Sequence, residues 1–187
     1  MKHIILASNS PRRRELLAGL NLDFEVRVLP GIPENYPRSL PASEVAGFIA
    51  REKADAYRET IGQNDLVVTA DTVVVVGNEI LGKPKDAEDA HRMLRLISGR
   101  THQVVTGVCL LTADKERCFS VTTDVTFKQL SEEEITYYIK NYKPFDKAGS
   151  YGIQEWIGYV GVTSISGSYF NVMGLPVQRV WEEIKKL

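Results

Sequence analysis

The hydrophobic and polar positions along the chain follow the period of a strand in some segments and the period of a helix in others. Runs of β-branched and other apolar residues predict strands at residues 4–7, 24–29, 66–70, 72–76, 104–112, 118–127 and 159–165. Apolar spacings of three and four residues, together with helix-start signals, predict helices at 11–20, 43–59, 87–97, 131–140 and from 176 onward. Because hairpins interrupt the alternation of strands and helices, we expect an α/β fold around a mixed sheet.

The predicted helix from Ser43 to Glu59 carries a charged residue on its apolar side. Lys53 lies near the middle of the arc that includes Val45 and Ile49. An ammonium group at such a position is costly unless it reaches water or meets an anion. A lysine that extends its head group to solvent is one interpretation, and a lysine directed at a ligand phosphate or a catalytic carboxylate is the other. The pattern alone leaves both open.

Asp71 separates two β-branched runs, so we expect it at the end of a central strand. Ligands of α/β enzymes commonly bind outside strand ends. A carboxylate at that place can cap a turn, bind a divalent cation or accept a proton from an attacking water. The sequence alone does not choose among these roles.

The turn between the first predicted strand and the first predicted helix is rich in serine and arginine. It contains Ser8, Ser10 and the three consecutive arginines Arg12, Arg13 and Arg14. Helix N-termini and guanidinium groups both suit phosphate oxygens, although a solvated basic face would give the same pattern. No GxxxxGK[ST] or GxGxxG motif is present, which argues against a standard kinase, GTPase or dinucleotide site.

Glu34 and Lys83 lie in predicted loops and are individually weak signals. Together with the residues above they form an acid pair, Glu34 and Asp71, and several cations, including Lys53 and Arg13. Carboxylates that hold a divalent cation and cations that neutralise phosphates suit metal-assisted attack on a polyphosphate. We therefore consider a phosphate-processing enzyme, provided that these residues converge in space.

Composition and charge narrow the function classes. The chain has 187 residues, 43% of them hydrophobic and 25% charged, with a net charge of −1, so a disordered chain and general electrostatic attraction to nucleic acid are both disfavoured. No apolar run is long enough for a membrane span, and arginines directly after a short apolar stretch do not fit a signal peptide. Two cysteines are too few for a disulfide scaffold or a zinc cage, and we expect Cys109 to be a small core residue. A cytoplasmic location is the expectation.

An ordered set of motifs resembles the Maf (septum-formation) family of nucleoside triphosphate pyrophosphatases. The opening motif is LASNSPRR, Leu6–Arg13, followed by Glu15–Leu17. The resemblance continues through Arg51–Ala54, Ala70–Thr72, Gly82–Pro84, Leu96–His102, Asp146–Gln154 and Met173–Pro176. It covers nearly the whole chain in the expected order.

The resemblance implies a fold, an activity and roles for particular residues. The fold would be similar to that of inosine-triphosphate pyrophosphatases: one domain over residues 1–187, an elongated mixed sheet with flanking helices, and two lobes around a central cleft. The reaction would split a nucleoside triphosphate between the α and β phosphates with Mg²⁺, Mn²⁺ or Co²⁺. Asp71 would accept the proton and, with Glu34, bind metal. Phosphate contacts or ordering of the carboxylates would fall to Ser8, Arg13, Lys53 and Lys83.

Three positions indicate the branch of the family that acts on dTTP and UTP in nucleotide-pool cleaning. They are Arg12 in SPRR, Thr72 in ADT and Gln154 in YGIQ. A glutamine amide can both donate to and accept from a pyrimidine edge. Gln154 is followed by Glu155 and Trp156 instead of the usual glycine-rich turn. Trp156 could narrow the base pocket or simply pack against the hinge.

Two other classes of function stay open from the sequence. A nucleotide-binding regulator of cell division with little turnover is the main alternative, although such a protein has no need of an acid pair near phosphates. A nucleic-acid-binding module rests only on residues 12–14, and we expect neither a nucleic-acid nor a membrane partner. Members of the family often dimerise, which leaves a homodimer open.

Overall fold

The computed structural model describes residues 2–187, and within them strands and helices follow one another along the chain. The strands are β1 His3–Leu6, β2 Phe24–Val26, β3 Asp65–Val76, β4 Glu79–Leu81, β5 Thr101–Leu111, β6 Glu116–Phe127 and β7 Val162–Ser166. The α-helices are α1 Pro11–Ala18, α2 Ala42–Asp55, α3 Ala87–Ile97, α4 Glu132–Tyr142, α5 Trp156–Gly161, α6 Tyr169–Met173 and α7 Val177–Ile184. A short 3₁₀ turn covers Ala148–Ser150.

The strands form one mixed sheet. Its order is β2-β1-β3-β5-β6-β7, and β4 pairs with β3 away from this path. β1 runs parallel to both β2 and β3, whereas β4 is antiparallel to β3 and β7 is antiparallel to β6. The expected α/β class, with a mixed sheet and flanking helices, is confirmed.

The chain divides into two compact units. The first unit contains the residues up to Asp71, Thr106–Val121 and Gly174–Leu187, and the second contains Thr72–Val105 and Thr122–Met173. In the first unit, Ala50, Ala54 and Tyr57 of α2 and the turn after it pack on Val67 and Leu111. In the second unit, α3 and α4 pack on the ends of β3, β5 and β6. Each unit therefore has its own apolar cluster.

The sequence pattern predicted Asp71 at the end of a strand. In the structure Asp71 lies in the middle of β3. Its N-terminal part pairs with β1, from Asp65 to Val68, and its C-terminal part pairs with β4, from Val74 to Val76. The strand stays continuous because each half has a partner of its own. A single polar residue between two β-branched runs was therefore wrongly interpreted as a break.

The strand predicted at residues 159–165 is present but begins later than predicted, after a helix that was not predicted. Residues 156–161 form α5, and β7 begins only at Val162. A side chain at Gly161 would come within 3 Å of the Phe127 ring, so glycine lets the helix end close to β6. The short helix α6, Tyr169–Met173, had no counterpart in the prediction. Five residues are too few to show a clear helical period.

Cys109 and Cys118 form a disulfide across the β5–β6 hairpin. Cys109 is buried, as expected for a core residue, and one bond does not make a disulfide scaffold, but the pairing of the two cysteines was not predicted. The hairpin places the two cysteines side by side, and sequence spacing alone did not reveal that register. Within residues 2–187, no helix combines the length and the apolar character that a bilayer crossing requires.

Candidate active site

One lysine joins the two acidic residues that the sequence singled out. Lys53 Nζ lies 2.7 Å from Glu34 Oε1 and 2.9 Å from Asp71 Oδ1. The side chains of Lys53 and Asp71 are about 15% exposed, whereas that of Glu34 is 54% exposed. Of the two interpretations of Lys53, the geometry supports the one in which its ammonium meets carboxylates.

The periodicities of α2 and β3 explain why these groups meet. The Thr69 hydroxyl donates to the carbonyl of Ala50 at 2.6 Å, which holds α2 against β3. Alternate residues of a strand share a face, so Asp71 follows Thr69 on that face. Residues three apart on a helix are neighbours, so Lys53 follows Ala50 along the helix surface. The contact between α2 and β3 therefore brings the ammonium to the carboxylate.

The pKa of the Asp71 carboxyl is raised above its ordinary value, mainly because burial disfavours the charged form. The positive charges of Lys53 and Arg13 oppose this shift, and the negative charge of Glu34 adds to it. The environment of Asp71 therefore favours the protonated form of its carboxyl more than water does.

Arg13 is held in place by backbone carbonyls. Its Nε donates to the carbonyl of Gly174 at 2.8 Å, and its Nη1 donates to the carbonyl of Ala70 at 3.1 Å, next to Asp71. The Ser8 hydroxyl accepts from the Ser10 N–H at 3.2 Å and lies 3.5 Å from Arg13 Nη1. Burial lowers the pKa of Arg13, while Asp71 opposes this effect. Arg13 therefore orders the backbone beside Asp71 and adds positive charge, and Ser8 contacts the same guanidinium.

A buried tyrosine that sequence reasoning missed fixes the start of the loop that carries Glu34. The Tyr57 hydroxyl donates to the carbonyl of Arg27 at 2.8 Å and accepts from the N–H of Leu29 at 3.0 Å. Tyr57 is 1% exposed. Its apolar neighbours made it look like an ordinary core residue, and nothing in its spacing indicated the polar contacts of its hydroxyl.

In the second unit, Gln154 carries a buried amide oxygen. Among residues 2–187, Gln154 Oε1 has no hydrogen-bond partner. Leaving a buried polar atom unpaired costs about 1–3 kcal/mol. An incoming hydrogen-bond donor would remove this cost.

The other predicted site residues are placed as follows. Arg12 is half-buried in the first turn of α1, and Thr72 is half-buried in β3 directly after Asp71. Lys83 is exposed between β4 and α3, where the carbonyl of Gly82 accepts from the N–H of Gly149 at 3.1 Å. Trp156 packs against the ring of Tyr137 in α4, with ring centroids 4.7 Å apart. This contact is consistent with a packing role for Trp156, one of the two roles that the sequence left open.

The chemistry of the acidic pair fits a divalent cation. Glu34 and Asp71 offer carboxylate oxygens around one ammonium nitrogen. Mg²⁺ is usually held by one or two carboxylates together with substrate phosphates. The raised pKa of Asp71 shows that the lysine and arginine only partly offset burial of its negative charge, so a further cation would stabilise it. We conclude that the pair suits this type of ion.

A different group of possible ligand atoms lies at the β5–β6 hairpin. Cys109, Glu116 and Cys118 are the one cluster of three such side chains found in residues 2–187. The two sulfurs are bonded to each other, and Glu116 pairs with Arg51 and Arg58. The sulfurs and the carboxylate of this cluster are therefore already engaged, by the disulfide and by the two arginines.

Comparison with known proteins decides the family. The sequence model of a family described as "Maf-like protein" matches residues 3–187. The chain belongs to the Maf family. The resemblance seen in the ordered motifs is thereby confirmed.

Relatives in the Maf family are close in sequence. A protein of Phocaeicola vulgatus named "dTTP/UTP pyrophosphatase" is 61% identical over 184 residues, which cover 98% of this chain and 95% of the relative. A protein of the same name from a strain of Bacteroides fragilis is 57% identical over 184 residues, with the same coverage.

A solved structure of much lower sequence identity shares the fold. The HAM1 protein from Coxiella burnetii matches with a TM-score of 0.51 over 100% of both chains at 14% sequence identity. At this identity the likeness supports the Maf chain's fold alone.

Proposed function

We propose that this chain is a nucleoside triphosphate pyrophosphatase that hydrolyses dTTP and UTP between the α and β phosphates. The products are a nucleoside monophosphate and pyrophosphate. The observation that carries the proposal is the position of Lys53 between Glu34 and Asp71. The names of relatives at 61% and 57% identity support the substrate class.

Asp71 is the proposed proton acceptor. A water molecule attacks phosphorus, its proton passes to the Asp71 carboxylate, and the anhydride bond breaks with release of pyrophosphate. Burial raises the pKa of Asp71, which makes it a stronger base than an exposed aspartate, while Lys53 keeps it ionised before the reaction. A base alone would not be enough, because the triphosphate repels a carboxylate.

Positive groups would offset that repulsion. Glu34 and Asp71 would hold the divalent cation, which when bound supplies positive charge against the triphosphate. Lys53 orders both carboxylates through its single ammonium group. Arg13, Ser8 and Lys83 are proposed to contact phosphates or to order these carboxylates, as the resemblance to the family implies. Whether the ion is Mg²⁺, Mn²⁺ or Co²⁺ is decided by assay.

Gln154 is the proposed reader of the base, with Arg12 and Thr72 as further specificity positions. Uracil and thymine carry an N–H donor at N3, whereas cytosine has an acceptor there. The unpartnered Gln154 Oε1 is suited to accept that N–H. Because a mismatched buried contact costs about 1–3 kcal/mol, one such contact supplies roughly 5- to 150-fold discrimination.

The organisation of the protein is part of the proposal. Residues 1–187 would form one domain with two lobes, located in the cytoplasm, with a free nucleotide as its partner rather than nucleic acid or a membrane. A homodimer is compatible with this function but is not required by it.

A nucleotide panel tests the proposal. The purified chain is incubated with dTTP, UTP, CTP, dATP and GTP in the presence of Mg²⁺, Mn²⁺ or Co²⁺, and all phosphate products are identified. We expect pyrophosphate and a monophosphate from dTTP and UTP. Release of orthophosphate would refute the proposed bond, and tight nucleotide binding without turnover under all three metals would favour a regulatory protein.

A further inference from the structure

Three hydrogen bonds close a ring around the turn that carries Gln154. The N–H of Glu155 donates to the carbonyl of Gly152 at 3.0 Å, and the N–H of Gly152 donates to the hydroxyl oxygen of Tyr138 at 3.0 Å. The Tyr138 hydroxyl in turn donates to Glu155 Oε2 at 2.5 Å. Each of the three residues donates one bond and accepts one, so the ring has no open end.

The ring is anchored in the core of the second unit. Tyr138 belongs to α4 and is fully buried, and its ring stacks on Tyr142. Burial and the neighbouring Glu155 carboxylate raise the pKa of Tyr138, so the phenol stays protonated and remains a donor. A hydrogen bond from a neutral donor to a carboxylate is stronger than one between neutral groups. The anchor is therefore both rigid and charge-assisted.

A buried lysine holds the other oxygen of the same carboxylate. Lys147 Nζ lies 3.1 Å from Glu155 Oε1 and 2.9 Å from Asp146 Oδ1. A side chain at Gly152 would come within 3.0 Å of Lys147 Cε and 3.1 Å of Glu155 Cδ. The turn thus packs directly against the ion pair, and its backbone has little room to shift.

Gln154 lies between the two backbone members of this ring. Its Oε1 is buried and lacks a partner among residues 2–187, so its own side chain does not hold it in place through that atom. The backbone of residues 152–155 therefore contributes to its position. That backbone is held by the phenol of Tyr138 in α4.

We infer that Tyr138 is a positioning residue for base recognition: through Glu155 and Gly152 it fixes the turn from which Gln154 presents its amide oxygen to a uracil or thymine base. The inference rests on the proposed function, in which Gln154 contacts the base. In this role Tyr138 acts through the turn and not by a contact of its own with the base. Its removal should therefore loosen discrimination between bases without removing the groups that act on the phosphates.

The test compares Tyr138→Phe with wild type for UTP and CTP. Phenylalanine keeps the ring packing and removes the hydroxyl that closes the ring. Loss of about 1 kcal/mol of net hydrogen bonding corresponds to about a fivefold fall in the ratio of kcat/KM for UTP to that for CTP. We expect the change to arise from a higher KM for UTP, with kcat altered by less than about twofold, because base contacts are made equally in the ground state and the transition state.

A matched control lies one residue earlier in the same helix. Tyr137 is 48% exposed and its ring packs on Trp156. Tyr137→Phe should leave the UTP-to-CTP ratio unchanged. Hydrogen exchange of the peptide containing residues 152–155 supplies a second readout, and the exchange should be faster in Tyr138→Phe than in Tyr137→Phe.

The outcomes separate the inference from the proposed function. Absence of triphosphate hydrolysis by the wild-type chain would overturn both. Hydrolysis by the wild type together with an unchanged ratio in a folded Tyr138→Phe variant would overturn the inference alone, even if the turn exchanges faster. If Tyr138→Phe does not fold, Glu155→Met decides: it removes the carboxylate oxygen that accepts from Tyr138 and so opens the ring at its other member, and a lower ratio supports the inference whereas a wild-type ratio overturns it.

Discussion

His102 Nε2 and the hydroxyl of Tyr151 lie 2.6 Å apart in the interior of the second unit. His102 is 1% exposed, and no hydrogen-bond partner of its Nδ1 is found in residues 2–187. Burial lowers the pKa of His102 from 6.5 to about 4. The folded protein therefore contains a neutral histidine under conditions in which an exposed histidine gains a proton.

This histidine predicts a loss of stability in mild acid. As the pH falls below 6.5, the unfolded chain binds a proton at His102 and the folded chain does not until about pH 4. The free energy of unfolding should therefore fall through this window, by about 3 kcal/mol in total. Urea unfolding at pH 7.5, 6.0 and 4.5 measures the change. The free energy of unfolding of His102→Gln should fall less over this pH range. The same dependence on pH in both proteins would show that His102 does not cause the loss of stability.

Lys53 should be required for turnover because it neutralises and orders both carboxylates. We expect Lys53→Met to lower kcat/KM for UTP by roughly 100-fold, since a fixed positive group next to developing negative charge contributes on this scale. Lys53→Arg keeps the positive charge but carries it on a planar guanidinium instead of an ammonium group, and it should retain part of the activity. Circular dichroism checks that both variants fold. Activity of a folded Lys53→Met variant within a few-fold of wild type would rule out this role.

Lys53 and Asp71 were both identified as candidate site residues from the sequence. The helical period placed a charged Lys53 on an apolar face, and Asp71 was the one acidic residue between two β-branched runs. That they meet depends on α2 packing over β3, which no local pattern specifies. The mid-strand position of Asp71 was missed because a polar residue inside a long strand looks the same as a strand end.

Tyr138 and Cys118 illustrate signals that a single sequence does not contain. The hydroxyl of Tyr138 acts on a turn that begins 14 residues later. Its spacing in α4 predicts only that the ring is buried. Cys118 bonds to Cys109 because of the hairpin register, and the loop that sets the register was located only approximately. In both cases the missing information is a contact between elements rather than the nature of an element.

Close packing of β5 on α2 predicts a severe effect at one glycine. A side-chain carbon at Gly107 would lie 2.3 Å from the backbone of Ala46 and Gly47. Gly107→Ala must push α2 away from the sheet, and we expect a loss of more than about 3 kcal/mol in the free energy of unfolding. Gly82→Ala, where nothing lies within 4 Å, is the control and should be nearly neutral. Equal midpoints in urea for these two variants would disprove the close approach.

The disulfide between Cys109 and Cys118 should stabilise the first unit. Closing a loop of about ten residues restricts the unfolded chain and contributes about 2–3 kcal/mol. Urea unfolding with and without a reductant should therefore give a lower midpoint in the reduced protein. A Cys118→Ser variant should resemble the reduced protein and show no further response to reductant. Two free thiols titrated in the unreduced, denatured wild type would show that the bond does not form.

Product formation from UTP by wild type and Asp71→Asn, with a divalent cation present, tests the role of Asp71 in the hydrolysis. Asparagine keeps the shape of the side chain but cannot accept the proton, so we expect pyrophosphate and UMP from the wild type and at least a roughly 100-fold lower rate from a folded Asp71→Asn variant. Near-normal release of pyrophosphate by Asp71→Asn would contradict the assignment of Asp71 as the proton acceptor.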